Sequence, residues 1–215
     1  MKKFSFILSL TAAVFLSVSI VFAAGDTQKI WDELLKITEK CTDNVSYDMV
    51  TKSKVNNKEV STKMSFYFKD VKNYRVDTEV EKQKTRMVLT DKEAWVYLTA
   101  QNVITIMDHA AVQSINIKEA LEKQKENADV SEGKDGANTT YTITERETKN
   151  RTVFTVDSKL GIYSKMQVYD AKGDLVTQAE YSSWKFGAIG ADIFAKPAGA
   201  KEMKMPQQQA KPEDK

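Results

Sequence analysis

Residues that commonly carry enzyme chemistry are sparse in this chain. His109 is the only histidine and Cys41 the only cysteine among 215 residues, so we expect neither a catalytic triad nor a histidine-rich metal site. His109 follows Asp108 at the end of a predicted strand, where an exposed turn residue is expected. The chain has no P-loop or dinucleotide fingerprint, and Gly187 and Gly190 are too sparse to cradle a phosphate. We predict that the protein is not an enzyme and binds no cofactor or metal.

The acidic side chains also fit a surface better than a site. Asp77, Glu79 and Glu81 alternate along one strand and would share its solvated face. Cys41 ends a helical pattern and is expected to be a buried small hydrophobe; a free reactive thiol is the alternative. One cysteine forms no internal disulfide, so packing must hold the domain together.

An export signal is predicted at the start of the chain. Lys2 and Lys3 precede an uncharged apolar run from Phe4 to Phe22, and small residues at Val21 and Ala23 suit a signal peptidase. We therefore place the signal peptide at 1–23, with cleavage after Ala23 and a location outside the cytoplasm for the mature chain. The alternative is a retained membrane anchor, since the run is long enough to span a bilayer.

The remaining residues suit one domain of about 190 residues with a sizeable core. Because the signal carries two lysines and no acidic residue, the formal charge of +2 falls to about zero in the mature chain. That balance argues against nucleic acid or an anionic membrane surface as the main partner. We assign the domain to 24–203 and a disordered polar tail to 204–215.

Hydropathy periods predict one helix followed by many strands. Thr27 to Cys41 has an apolar helical stripe, and from Ser46 the apolar residues recur at every second position. The alternating segments, joined by short turns such as Asn56-Asn57, are 47–52, 59–69, 74–81, 84–89, 93–98, 102–107, 139–146, 151–156, 162–169 and 175–186. The two segments at 93–98 and 102–107 are apolar on both faces, which indicates strands covered on both sides.

A weakly helical insert interrupts this rhythm. Ile117, Leu121 and Ala128 mark a thin apolar stripe in a segment rich in lysine and glutamate, and 132–136 is predicted to be a loop. The order of elements predicts an α+β fold with a curved antiparallel sheet of about 10–11 strands. Two helical segments are too few to fill so wide a sheet, which favours an apolar ligand site.

Three segments resemble the periplasmic LolA/LolB-like lipoprotein-carrier superfamily. Lys63 to Val80 resembles its strand–turn–strand, with Arg75 opening the second strand, although the proline common in the turn is absent. Asp91 to Met107 resembles the next hairpin, matched at Trp95 and Tyr97, with Lys92 in place of the usual glycine. The closing segment ADIFAKPAG is matched at Asp192, Phe194, Pro197 and Gly199.

The resemblance covers roughly residues 27–203 and implies an unclosed β-barrel, with an N-terminal helix and a helical lid over an apolar concavity. It implies a carrier that holds acyl chains and moves lipid or lipidated proteins toward the outer membrane. The alternative function is an envelope sensory or protein-interaction module that uses the same cavity. A structural envelope protein whose cavity is filled by its own side chains is a third possibility.

The expected ligand surface is the apolar side of the sheet, with a helical lid at Ile117 and Leu121. For each of these residues taken singly, packing against the helix at 30–37 is the alternative to ligand contact. The predicted cavity residues are Met64, Phe66, Phe68, Tyr74, Val76, Met87, Leu89, Ile162, Met166 and Val168. The expected partners are acyl lipid or lipidated cargo and membrane donor and acceptor proteins, and we expect a monomer.

Overall fold

The structure is a computed structural model that describes residues 27–56, 58–109, 112 and 117–204. The predicted signal peptide, its cleavage after Ala23, and all of the predicted tail beyond Lys204 lie outside the described residues. Among the described residues, no helix has the length and apolar character needed to cross a membrane.

The first helix, α1, spans Thr27–Lys40 and forms as its apolar stripe predicts. Trp31, Leu34 and Ile37 are its buried residues, and the opposite side carries exposed pairs such as Lys36 Nζ–Glu33 Oε1 at 2.9 Å. The main-chain N–H of Cys41 donates to the carbonyl of Ile37 at 3.0 Å and closes the last turn.

The described part of the chain then forms twelve strands, and most pairs of neighbours are joined by short turns. They are β1 Val45–Val55, β2 Lys58–Phe68, β3 Tyr74–Val80, β4 Gln83–Leu89, β5 Ala94–Leu98, β6 Val103–Met107, β7 Ala128–Asp135, β8 Asn138–Glu145, β9 Arg151–Asp157, β10 Ile162–Tyr169, β11 Leu175–Phe186 and β12 Lys201–Lys204. The second helix, α2, spans Ile117–Glu126, and short 3₁₀ helices lie at Thr99–Gln101 and Ala191–Phe194.

The strands form one sheet in the order β12-β6-β5-β4-β3-β2-β1-β11-β10-β9-β8-β7. The end strands β12 and β7 do not pair with each other, so the sheet is unclosed. The registers run antiparallel, as in β2–β3 and β8–β9, except that β12 pairs with β6 in parallel. The expected α+β class with an unclosed antiparallel sheet is confirmed, with twelve strands instead of 10–11.

Two strands were missed by the sequence analysis. Residues 132–136 were expected to be a loop, yet β7 continues to Asp135, and the turn begins only at Gly136. β7 is an edge strand whose second half is exposed, so it needs no apolar alternation there and instead carries the charges that edge strands tolerate. β12, with the sequence KEMK, is exposed throughout and is held by main-chain pairing with β6.

The described residues fall into two compact units. Unit 1 contains 27–41, 51–60 and 117–181, and unit 2 contains 42–50, 61–109, 112 and 182–204. In unit 1, α1 packs against β7, β10 and α2. In unit 2, the segment after β11 returns to the sheet through its 3₁₀ helix against β3 and through β12 against β6.

Strand β5 is covered on both faces, as predicted, whereas β6 is buried only at Ile104 and half-buried elsewhere. On one face Val88, Trp95 and Ile104 form a cluster that is at most 1 % exposed, against which Phe194 of the closing segment packs. On the other face Ala94 and Val96 are also buried. A side chain of β3 helps hold the closing segment in place, because Arg75 Nη1 donates to the Ile193 carbonyl at 3.0 Å.

Candidate ligand-binding site

One face of the sheet in unit 2 presents rows of apolar side chains, which we call the apolar face. It arises because directly paired residues on antiparallel strands point to the same side of a sheet. The first row is Phe68, Tyr74, Leu89, Ala94 and Met107; the second is Phe66, Val76, Met87, Val96 and Thr105; the third is Met64, Thr78, Thr85, Leu98 and Val103.

All seven predicted cavity residues of β2, β3 and β4 lie in these rows. Six are buried, with exposures of 0–5 %: Met64, Phe66, Phe68, Tyr74, Val76 and Leu89. Met87 is half-buried and faces Val76 and Val96 across the two neighbouring strands. The structure therefore brings these seven side chains together on one surface of β2–β4.

Aromatic rings extend the same surface along β1 and the end of β11. Tyr47 stacks between Phe66 and Trp184, with ring centroids 4.9 and 4.2 Å away. Trp184 in turn stacks on Phe186, which is 50 % exposed. Neither Tyr47 nor Trp184 was predicted as a site residue. Alternation along β1 could have placed Tyr47, but Ser183 has a φ of 57° directly before Trp184, so strict alternation along β11 would not have placed that ring.

The third row differs from the first two because it contains hydroxyl groups. Thr78 faces Thr85 directly across β3 and β4, and Thr62 precedes Met64 on the same face of β2. Thr62 and Thr78 are 4 and 6 % exposed, and Thr85 is half-buried. The third row therefore sets hydroxyl groups beside the apolar side chains of the other two rows.

Unit 1 has an apolar surface of its own on β8, β9, β10 and β11. Met166 faces Phe154 and Ala179, and Val168 faces Thr152 and Thr177. Met166 is buried and Val168 is half-buried. Both predicted residues therefore share one face of β10.

Ile162 does not continue this row, because the register of β10 shifts between Tyr163 and Lys165. Across that bulge Tyr163 pairs with Val156, in line with Met166, while Ile162 pairs with Asp157. The sequence placed Ile162 by strict alternation, and the extra residue, Ser164, reverses that assignment. Ile162 is nevertheless buried, at 1 % exposure.

Helix α1 is anchored on the unit 1 surface through a tyrosine. Tyr163 Oη and Thr38 Oγ1 are hydrogen-bonded at 2.8 Å, and Thr38 also donates to the Leu34 carbonyl at 2.7 Å. Cys41 follows the helix and is 3 % exposed, as expected of a small hydrophobe. Burial raises the pKa of its thiol to about 12, so the unreactive protonated form prevails at neutral pH.

The predicted lid corresponds to α2. Leu121 is half-buried, and the side chain of Ile117 lies outside the described residues. The C-terminal end of the helix is fixed by one arginine: Arg146 Nη1 donates to the Glu126 carbonyl at 3.0 Å, and Nη2 contacts Asp129 Oδ1 at 3.2 Å. Any movement of α2 must therefore pivot near Glu126 or break these bonds.

A cavity of about 280 Å³ lies beside α1 in unit 1. Its lining is about equally polar and apolar, and two of its lysines are engaged: Lys36 Nζ lies 2.9 Å from Glu33 Oε1, and Lys40 donates to the Leu160 carbonyl at 2.5 Å. Its lining residues are Glu33, Lys36, Ile37, Lys40, Thr139, Tyr141, Val156, Asp157, Ser158 and Gly161. A volume of about 280 Å³ lies below the roughly 300–1,000 Å³ that ligand pockets usually have, so the cavity is a poorer acyl site than the apolar face.

The opposite face of β3 and β4 is polar and ordered by charge. Arg75 Nε and Arg86 Nε each donate to Asp77 Oδ1 at 2.9 Å. Partial burial disfavours the charged carboxylate, but these arginines outweigh it and hold the pKa of Asp77 below its usual value. As predicted, the acidic alternation of β3 forms a partly solvated face.

No family model and no curated protein matches the chain. Among solved structures it is similar to an uncharacterized conserved protein from Thermus thermophilus, with a TM-score of 0.54 and 12 % identity over 84 % of this chain and 100 % of that one. It is also similar to MucB, with a TM-score of 0.52 and 14 % identity over 84 % of this chain and 66 % of the MucB chain. MucB from Pseudomonas aeruginosa has also been solved in complex with MucA.

A LolA superfamily protein from Nitrosomonas europaea matches with a TM-score of 0.40 and 11 % identity, over 80 % of this chain and 99 % of that one. The residues of the three sequence motifs lie in regular elements: Arg75 is the second residue of β3, Trp95 and Tyr97 lie in β5, and Phe194 ends the 3₁₀ helix of the closing segment. At these identities the similarity concerns the fold alone: the chain shares its fold with the Thermus thermophilus protein and with MucB.

Proposed function

We propose that the protein is a periplasmic carrier that holds acyl chains of lipids or lipidated proteins on its apolar face and moves them toward the outer membrane. The observation that carries the proposal is the set of three adjacent apolar rows across β2–β6, rich in aromatic and methionine side chains. Flexible thioethers such as those of Met64 and Met87 adapt to acyl chains of varied shape.

The energetics of such a site suit reversible binding. Burial of a sixteen-carbon chain gains roughly 12 kcal/mol, at about 0.8 kcal/mol per methylene. Association and ordering cost on the order of 4–15 kcal/mol. The resulting affinity is modest, which a carrier needs because it must release its cargo to an acceptor.

The second candidate function is an envelope sensory or protein-interaction module. The observation that favours it is the similarity to MucB, a protein solved in complex with a protein partner. In a sensor the same apolar face would detect a lipid or lipoprotein, and a different surface would bind the partner protein.

The carrier proposal includes a cleaved signal peptide, a periplasmic location, a monomeric state, and membrane donor and acceptor proteins as partners. It assigns the apolar face a binding role and no catalytic one. Fold similarity to MucB, whose partner fragment in a further complex structure is described as MucA(peri), supports the periplasmic location.

The first test is native mass spectrometry of the mature chain purified from a periplasm, with lipid extraction. We expect bound acyl lipid or acylated peptide that detergent removes. A mass without ligand, together with no uptake of the fluorescent fatty acid parinaric acid, would contradict the carrier function and favour the protein-interaction module.

The lid proposal predicts a specific effect of Leu121→Asp. An aspartate at this half-buried position of α2 should weaken packing of the helix and favour its open state. We expect the dissociation rate of bound parinaric acid to rise by roughly tenfold, since one leucine contact is worth about that factor. Stopped-flow fluorescence measures this rate.

Leu160→Asp is the matched control, because Leu160 is 49 % exposed in the turn between β9 and β10. It introduces the same charge at the same residue type but should leave ligand retention unchanged. An equal dissociation rate for wild type and Leu121→Asp would show that α2 is not a lid.

A further inference from the structure

The hydroxyl groups of the apolar face make no side-chain hydrogen bond within the part of the chain that the structure describes. Thr62, Thr78 and Thr85 point to the same side as Met64 and Met87, as their registers require. No side-chain hydrogen bond joins any of the three to another described residue. A directly opposed threonine pair such as Thr78 and Thr85 would ordinarily be a candidate for a mutual hydrogen bond.

Other hydroxyls of the sheet show the usual behaviour. In unit 1, Ser53 Oγ and Thr177 Oγ1 lie 3.1 Å apart and satisfy each other. Thr51, where the buried alternation of β1 ends, differs from the three threonines, because its Oγ1 is fully buried and has no partner among the described residues.

Burying a hydroxyl without a partner is unfavourable, and valine has the same shape without that cost. Thr62 and Thr78 are 4 and 6 % exposed, yet neither hydroxyl oxygen is among the fully buried side-chain atoms that lack a partner. The two hydroxyls therefore remain open to an acceptor from outside the chain. A hydroxyl donates readily to a carbonyl or carboxylate oxygen. Such oxygens are found where an acyl chain joins its head group.

We propose that Thr62, Thr78 and Thr85 form a polar subsite that binds the acyl carbonyl oxygen of the ligand, whose hydrocarbon chain lies along the apolar rows. This inference rests on the proposed carrier function and adds to it the orientation of the cargo. Successive rows lie two residues apart on each strand, so the rows from Thr78 to Tyr74 cover about 13 Å of hydrocarbon length.

The test compares three fluorescent polyenes: parinaric acid, its methyl ester, and diphenylhexatriene, a hydrocarbon with no acceptor oxygen. The variants are Thr78→Val, Thr85→Val and the double variant. We expect each valine to raise the Kd of the acid and the ester by roughly two- to tenfold, the effect of one lost hydrogen bond. The Kd of diphenylhexatriene should stay the same or fall.

Thr142→Val in β8 is the matched control, since Thr142 is a half-buried threonine of unit 1 outside this cluster. It should leave all three affinities unchanged. An effect on the acid alone would identify a free fatty acid carboxylate as the ligand group, and an equal effect on the ester would identify an acyl ester or amide.

A stability measurement separates the subsite from a structural role. If the hydroxyl of Thr78 serves only a ligand, Thr78→Val without ligand should keep or raise the Tm. A clear fall in Tm, or equal losses of affinity for diphenylhexatriene and the ester, would overturn the subsite. Binding of all three probes with no change in the double variant would also overturn it while sparing the carrier function. Failure of every probe to bind wild type would overturn both.

Discussion

At the scale of single residues, Asp77 is the most constrained charge on the polar face of unit 2. Arg75 also stacks its guanidinium over Tyr67, 4.9 Å from the ring centroid, so the ion pair is held in a fixed geometry. Asp77→Asn should lower the free energy of unfolding at pH 7 by about 1–3 kcal/mol, because hydrogen bonds to charged groups are lost. Urea denaturation measures this difference.

The same carboxylate predicts a pH dependence of a definite sign. The folded pKa of Asp77 is lowered from 3.8, so its contribution is complete above the unfolded pKa and is lost as pH falls through the folded value. The stability gap between wild type and Asp77→Asn should therefore narrow below pH 3.8. Asp135→Asn, at an exposed strand end, is the control and should show no comparable gap at pH 7.

Residue positions were predictable where alternation is unbroken and failed where it is not. The cavity residues of β2, β3 and β4 share one face because no extra residue interrupts those strands. Ile162 was assigned to the wrong face because the alternation of apolar residues does not reveal the bulge at Ser164. The polar subsite was not predicted because threonine is favoured in strands whether or not its hydroxyl group has a hydrogen-bond partner, so the sequence pattern does not mark it.

At the scale of elements, the turn between β3 and β4 is built from residues that do not favour it. Glu81 and Lys82 have φ of 46° and 70°, and the strands pair up to Val80 and Gln83 on either side. Two central residues with positive φ are typical of a type I′ turn, which prefers Asn-Gly. Replacing the pair by Asn-Gly should raise the free energy of unfolding by about 1 kcal/mol.

Lys84→Gly provides the control for this turn. Lys84 lies two residues further, in β4, and pairs with Glu79 across the strands. Glycine there should lower the free energy of unfolding by about 0.5–1 kcal/mol, because glycine loses more backbone freedom on folding than other residues and the extended strand does not need a positive φ. A loss of stability in the Asn-Gly variant would show that the side chains of Glu81 and Lys82 matter more than their backbone strain.

Element prediction succeeded for strands with a buried face and failed for those without one. The covering of both faces of β5 was predictable, since Ala94, Trp95 and Val96 leave no polar side. In contrast, the second half of β7 and the whole of β12 are exposed, and main-chain pairing, which hydropathy does not report, holds them in the sheet. Only the pairing register shows that KEMK is a strand parallel to β6.

At the scale of the whole molecule, several acidic protons are held by burial. Burial raises the pKa of Cys41 to about 12 and raises the pKa values of Tyr163 and Tyr181 well above the ordinary tyrosine value of 10. Above about pH 9 to 10 the unfolded chain releases these protons, while the folded chain keeps them. The free energy of unfolding should therefore fall as pH rises, by about 1.4 kcal/mol per pH unit for each group.

Tyr163→Phe tests this alkaline limit directly. At pH 7 the variant should be less stable than wild type by about 0.5–1.5 kcal/mol, because the hydrogen bond to Thr38 is lost. Above about pH 10 the variant lacks one of the groups that keep their proton only in the folded state, so its free energy of unfolding should fall less steeply with pH than that of wild type. The two stability curves should therefore converge and then cross. Urea denaturation from pH 7 to pH 11, with tyrosinate absorbance followed at each step, gives both curves. Parallel curves would show that the buried Tyr163 hydroxyl does not limit stability, leaving Cys41 and Tyr181 as the groups that do.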